Sequence, residues 1–182
     1  MHRAVVLLLS LILLASCATT QGSGRTTSDG WTVQRIPNGN DKGKEVAWRA
    51  GSPGSDWSRD SAQTADFAWV HRSAPATIYG DSTCGKKYYD VPLSVLINHL
   101  TFGFEDLQTD AQEEIDLAGR AGLRRVFSAS LDGIPVKLAS TVVKKGPCIF
   151  DLVYVTADVA RFDAELADYE TVVAGLAIRE GR

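Results

Sequence analysis

The run Cys148-Ile-Phe-Asp-Leu-Val-Tyr-Val155 has the alternation of a strand, yet both of its faces are apolar. Cys148, Phe150, Leu152 and Tyr154 fall on one side; Ile149, Asp151, Val153 and Val155 fall on the other. A strand apolar on both faces lies inside a sheet that is covered on both sides. That constraint rules out a helical bundle and a sheet with one wet face. It asks the rest of the chain for two covering layers.

Two amphipathic segments can supply them. Pro92 is a helix-start signal, and Leu93, Leu96, Ile97, Leu100 and Phe104 follow on one helical face. A second helix starts between Asp158 and Asp163 and runs to about Ala177, with Val159, Phe162, Leu166, Tyr169, Val173 and Leu176 as its stripe. Neighbouring strands are also legible. Leu123–Ser130 and Val136–Lys144 flank Asp132-Gly133, a pair suited to a two-residue type I′ turn. Asp66–His71 and Ala76–Tyr79 form another pair. Trp31–Ile36 and Glu45–Arg49 read as an N-terminal β-hairpin around Pro37-Asn-Gly-Asn40. Residues 51–65 and 80–90 read as loops, and the acidic stretch 105–116 reads as a solvated loop with a short helical turn. The order ββ, ββ, α, βββ, α gives an α+β domain: an antiparallel central sheet with helices on its faces.

The chain has 182 residues, enough for one such domain, which is expected over 30–182. With 45% hydrophobic and 23% charged residues it has a globular composition. A net charge of −3 excludes a generally basic nucleic-acid-binding surface.

The N-terminus has a different task. Arg3 precedes a twelve-residue apolar run, Ala4–Ala15, interrupted only by Ser10 and too short to span a bilayer. It ends in Leu14-Ala15-Ser16-Cys17, which resembles the lipobox of bacterial lipoprotein precursors. The resemblance implies a signal peptide over 1–16, cleavage before Cys17 and acylation of that residue, so that the lipid bilayer is its first partner. The alternative is an ordinary secretory signal with a chance cysteine. Ala18 rather than Asp after the cysteine implies sorting to the outer membrane, facing the periplasm; the alternative is the outer face of the cytoplasmic membrane. The Thr/Ser/Gly-rich residues 17–29 read as a flexible tether with a reach of roughly 20 Å. Of the remaining thiols, Cys84 and Cys148 most simply form one disulfide in an exported chain; two separate buried thiols are the alternative.

The segment 66–176 resembles the PsbP-like α/β/α sandwich superfamily. The resemblance is carried by Phe-Ala-Trp-Val-His-Arg-Ser-Ala-Pro-Ala-Thr-Ile-Tyr79, the helix after Pro92, the hairpin around Leu131-Asp-Gly-Ile-Pro135, the strand from Cys148 and the closing helix from Phe162. It implies a binding or scaffolding surface rather than catalysis.

Candidate chemistry is sparse. Gly80-Asp-Ser-Thr-Cys-Gly-Lys-Lys87 nearly matches a phosphate loop but lacks the closing Ser/Thr and a following helix. The mature chain carries two histidines, His71 and His99, with serines such as Ser94 and Ser128 but no nucleophile motif. The acidic stretch lacks the spacing of a calcium loop. No metal and no cofactor is expected. Trp57, Lys86, Lys87, Tyr88 and Tyr89, aromatics and cations in expected loops, are the candidate contacts for an envelope protein or glycan; the alternative is that they cap the ends of the core. The reading is therefore a non-catalytic outer-membrane lipoprotein acting as a binding or assembly module. The alternatives are a small-molecule or lipid binder, with a pocket beneath Leu93, Ile97 and Leu100, and a hydrolase using His71 or His99.

Overall fold

The computed structural model describes residues 24–60 and 65–180. The signal peptide, Cys17 and the first part of the expected tether lie outside the described residues.

Eleven strands and two α-helices follow in order among the described residues. They are β1 (Arg25–Thr26), β2 (Thr32–Arg35), β3 (Glu45–Arg49), β4 (Trp57–Asp60), β5 (Phe67–His71), β6 (Ala76–Cys84), α1 (Leu93–His99), β7 (Glu105–Leu117), β8 (Arg120–Leu131), β9 (Ile134–Lys145), β10 (Cys148–Thr156), α2 (Phe162–Ala174) and β11 (Ala177–Glu180). The main sheet is antiparallel and seven-stranded, ordered β4-β5-β6-β10-β9-β8-β7. The doubly apolar strand β10 therefore sits at its centre, with three strands on each side. A smaller antiparallel sheet has the order β1-β2-β3-β11.

The two covers of β10 differ. On one face Phe150, Leu152 and Tyr154 pack with Ile78 and Val143 against Phe162, Tyr169 and Val172 of α2 and Trp48 of the small sheet. Asp66 joins these layers: it accepts hydrogen bonds from the Trp48 indole (2.9 Å) and the Ser82 hydroxyl (2.5 Å). On the other face α1 sets Leu96 and Ile97 on Leu123, Val142 and Ile149. A helix of seven residues is only about 10 Å long, whereas seven strands span roughly 30 Å. Phe104, beyond the helix, packs with Phe127, Val136 and Leu138 on the same face, and among the described residues a cleft remains beside it.

The α+β architecture, the N-terminal hairpin and the Asp132-Gly133 turn are as the sequence predicts; both turn residues have positive φ, 51° and 76°. Several boundaries differ. The expected loop 51–65 contains β4, which pairs with β5 from Trp57 to Asp60. The expected loop 80–90 is strand as far as Cys84. Gly80 belongs there because the Phe67 ring occupies the place of a Cβ and the Trp48 ring lies 2.9 Å from it. This extended conformation also removes the phosphate-loop reading. The acidic stretch is the edge strand β7, exposed along most of its length, so it shows no apolar alternation. Its acids protect a sheet edge, and Glu113 pairs with Arg124 of β8 at 3.4 Å. The first helix ends at His99, and Phe104 lies beyond it. The second begins with a 3-10 turn, Val159–Arg161. β11 was not expected. Nor was β1, in which Arg25 and Thr26 pair with Val33 and Thr32, so the tether expected through residue 29 is part of the sheet from residue 25.

Gly80→Ala forces the Phe67 and Trp48 rings apart. It is expected to lower the unfolding free energy by about 1–3 kcal/mol in urea titration; an unchanged midpoint would show that the rings give way freely.

Candidate functional site: an acidic cleft on the half-covered face

Beyond the C-terminal end of α1 the chain turns through Leu100–Phe104, and Thr101 anchors that turn by donating its hydroxyl to the Asn98 carbonyl at 2.9 Å. Between this turn and strands β5, β6 and β10 lies a cleft of about 500 Å³. Its floor includes Tyr79, Asp81 and Asp151; its rim includes His99, Phe102 and Phe104. Phe102 is 94% exposed, an unusual place for a large apolar ring.

Asp81 and Asp151 are directly paired across β6 and β10, so both side chains leave the same face of the sheet. Opposed residues of an antiparallel pair have their Cβ atoms about 4.5–5.5 Å apart, and like charges there repel. Asp151 is only 9% exposed, and its Oδ1 is buried without a hydrogen-bond partner. Among the described residues no lysine, arginine or histidine nitrogen comes within 4.0 Å of either carboxylate. The nearby cations are engaged elsewhere. Arg125 of β8 binds the Asn98 and Gln112 side chains, and the Lys144 ammonium of β9 donates to the carbonyls of Tyr89 (2.9 Å) and Val91 (3.0 Å).

Burial, reinforced by the charge of Asp81, pushes Asp151 up to about 8. Burial and then the charge of Asp66 push Asp81 up to about 6. Both carboxyls are thus biased toward the protonated form, and they titrate as a pair. Burial and the two carboxylates push Tyr79 up to about 12, so its hydroxyl remains a donor. The arrangement can share a proton or receive a cation.

The other expected site residues lie elsewhere. Cys84 and Cys148 form the disulfide, joining β6 to β10 where the two residues are directly opposed. Trp57 is not a loop contact: it is 4% exposed, its indole donates to Asp168 at 2.9 Å, and its ring meets His71 edge-on. Lys86, Lys87 and Tyr88 form a 3-10 turn at the opposite end of β6 from Trp57, so the five residues do not make one face. Tyr88 packs against the α1 cluster, and the Lys87 ammonium lies 4.8 Å from its ring. Tyr89 donates its hydroxyl to Asp41, and the Lys86 backbone N–H donates to Asn38. These residues close the end of the sandwich; the Lys86 and Lys87 side chains stay exposed. His71 is buried, and its Nδ1 accepts the Ser73 N–H. The expected pocket beneath Leu93, Ile97 and Leu100 is filled by Leu96 and Ile97; the opening lies past the helix end. Sequence reasoning missed the acid pair, although an aspartate inside a doubly apolar strand was its visible trace.

No family model matches the chain, and no curated protein matches it. Among solved structures it is similar to LpqN of Mycobacterium tuberculosis, a protein described as involved in cell envelope biogenesis. The TM-score is 0.58 at 15% identity, over 80% of this chain and 91% of LpqN. The two share a fold. CyanoP, the cyanobacterial PsbP of Synechocystis sp. PCC 6803, aligns with a TM-score of 0.49 at 10% identity, over 91% of this chain and 99% of CyanoP.

A carboxyl held above its unfolded value contributes stability that is fully present below that value, 3.8, and is lost as pH rises through the folded one. For Asp81 and Asp151 the loss runs from about pH 4 to about pH 8. Asp151→Asn is expected to flatten this slope and to stabilise the protein by about 1–3 kcal/mol at pH 8, with little effect at pH 4. Urea midpoints at the two pH values check it; parallel profiles for wild type and variant would refute it.

Proposed function

We propose that this chain is an exported lipoprotein, acylated at Cys17, that serves in the cell envelope as a non-catalytic binding module. Its ligand seat is the cleft over β6 and β10. The observation that carries the reading is the half-covered sheet face, where an opening of about 500 Å³ combines an exposed aromatic rim with a buried polar atom lacking a partner. Openings of that size suit small ligands. The lipobox-like Leu14–Cys17 and the disulfide support export, since disulfides persist in oxidising compartments. Ala18 supports the outer membrane as destination, with the domain on the periplasmic side. The fold likeness to LpqN is compatible with an envelope role.

The engagement of His71 with Ser73 and Trp57 supports a binding role over catalysis. So does the position of Ser128, whose hydroxyl donates to Asp110 on the exposed β7 edge at 2.6 Å. Between a small ligand and a large partner held by the end loops, the geometry favours the small ligand, because the aromatic residues Trp57, Tyr88 and Tyr89 are occupied in closing the core.

Metabolic labelling with palmitate is expected to mark the wild-type protein and not Cys17→Ala. Globomycin is expected to cause accumulation of the uncleaved, acylated precursor. A mature product recovered without fatty acid would overturn the anchored reading.

A further inference from the structure

The cleft has a specific charge problem. Two carboxyls face each other across neighbouring strands, and one carries a buried oxygen with no donor. The protein supplies no cation of its own among the described residues. A structural carboxylate on the same sheet is treated differently: Asp66 receives two side-chain donors. The rim is mainly aromatic and apolar, with Phe102 and Phe104 beside Leu100, and His99 is its polar member.

We propose that this cleft binds a small organic cation, a primary or secondary ammonium group carried on an apolar or aromatic frame. The inference rests on the cleft being the ligand seat. The ammonium sits between Asp81 and Asp151 and donates to the carboxylate edges that line the cleft, supplying the positive charge that the buried, unpartnered Oδ1 of Asp151 lacks. Charge-assisted bonds of this kind are stronger than neutral ones, and burial weakens solvent screening. The frame lies against Phe104 and under Phe102, where an aromatic face also attracts a cation. Tyr79 contributes a neutral hydroxyl. An anion is repelled by the pair. A metal ion fits poorly, because no group of three ligating side chains that could hold one occurs among the described residues.

Binding is coupled to proton release, since a proton shared by the pair must leave when the ammonium arrives. The acid pair sets this behaviour, with Asp66 acting on Asp81; Tyr79 on the floor and His99 on the rim also face the cleft. Arg125 and Lys144 face the same side from β8 and β9, tied to their own acceptors.

The test uses the full lipoprotein in detergent and follows its thermal unfolding with three probes of one shape: phenethylammonium, 2-phenylethanol and phenylacetate. Phenethylammonium is expected to stabilise the wild type, with an apparent affinity rising at least about tenfold between pH 5.5 and pH 8.5. The rise should persist in His99→Gln, which removes the rim imidazole and leaves the acid pair in place. Asp81→Asn combined with Asp151→Asn should weaken phenethylammonium at least about tenfold while the protein stays folded, because the acid pair destabilises the sheet at high pH. Equal stabilisation by 2-phenylethanol, retained in the double variant, would overturn the cation and leave the binding cleft standing. Preference for phenylacetate would overturn it likewise. Stabilisation by calcium chloride alone, lost in the double variant, would replace the ammonium with a metal. No response to any probe would overturn both the cation and the cleft as ligand seat.

Discussion

β10 must be covered on both faces, and the two covers are unequal. A thirteen-residue helix and a whole second sheet close one side; a seven-residue helix shelters the other. Everything of functional interest follows from that imbalance. Where α1 reaches, Leu96 and Ile97 seal the sheet against Val142 and Ile149. Where it stops, Phe104 covers Phe127, Val136 and Leu138, and among the described residues a cleft remains beside them. Asp81 and Asp151 occupy that boundary, buried enough to be pushed toward protonation and open enough to line a cleft.

Burial of acid alone does not make a site in this fold. Asp66 also has its pKa raised by burial, on the opposite face, but it binds the Trp48 indole and the Ser82 hydroxyl and so bolts the small sheet to the large one. Glu165 is likewise buried: its Oε2 accepts from the Tyr154 hydroxyl at 2.9 Å, and its Oε1, which accepts no hydrogen bond, is paired with the Arg161 guanidinium at 3.1 Å. Each of these acids has side-chain donors or a paired cation, and their role is structural. Asp151 keeps an oxygen that, among the described residues, has neither. A leucine or valine there would pack at no such cost, so a purely structural account leaves the residue unexplained.

The legible parts of this fold are those whose signals are local. The doubly apolar β10, the Asp132-Gly133 turn and the stripe of α2 each declare themselves within a dozen residues. β6 does not, because its inward positions after Ile78 are Gly80 and Ser82, and its outward ones include Asp81 and Thr83; that composition imitates a turn. β7 is hidden for another reason: a strand wet on both sides has no apolar period to read. The cleft then escapes altogether, since it exists only once Asp81 is known to lie on a strand and to face Asp151. Trp57 is hidden in the opposite sense: its polar neighbours read as a loop, whereas its ring packs beside His71 and Tyr154 in the core.

The disulfide connects these observations. Cys84 and Cys148 are opposed three residues along from Asp81 and Asp151 on the same two strands, with the disulfide on the opposite face. In an antiparallel pair a slip of one residue moves every side chain of a strand to the other face relative to its partner. Here such a slip would separate the two carboxyls and relieve their repulsion, which makes it the move that electrostatics alone would favour. A covalent bond at that distance forbids it. The chain therefore holds two carboxyls together in the one register that keeps both in the cleft, at the cost of raising the pKa of each, and a register fixed against its own electrostatics is more readily understood as serving a ligand than as serving the sheet.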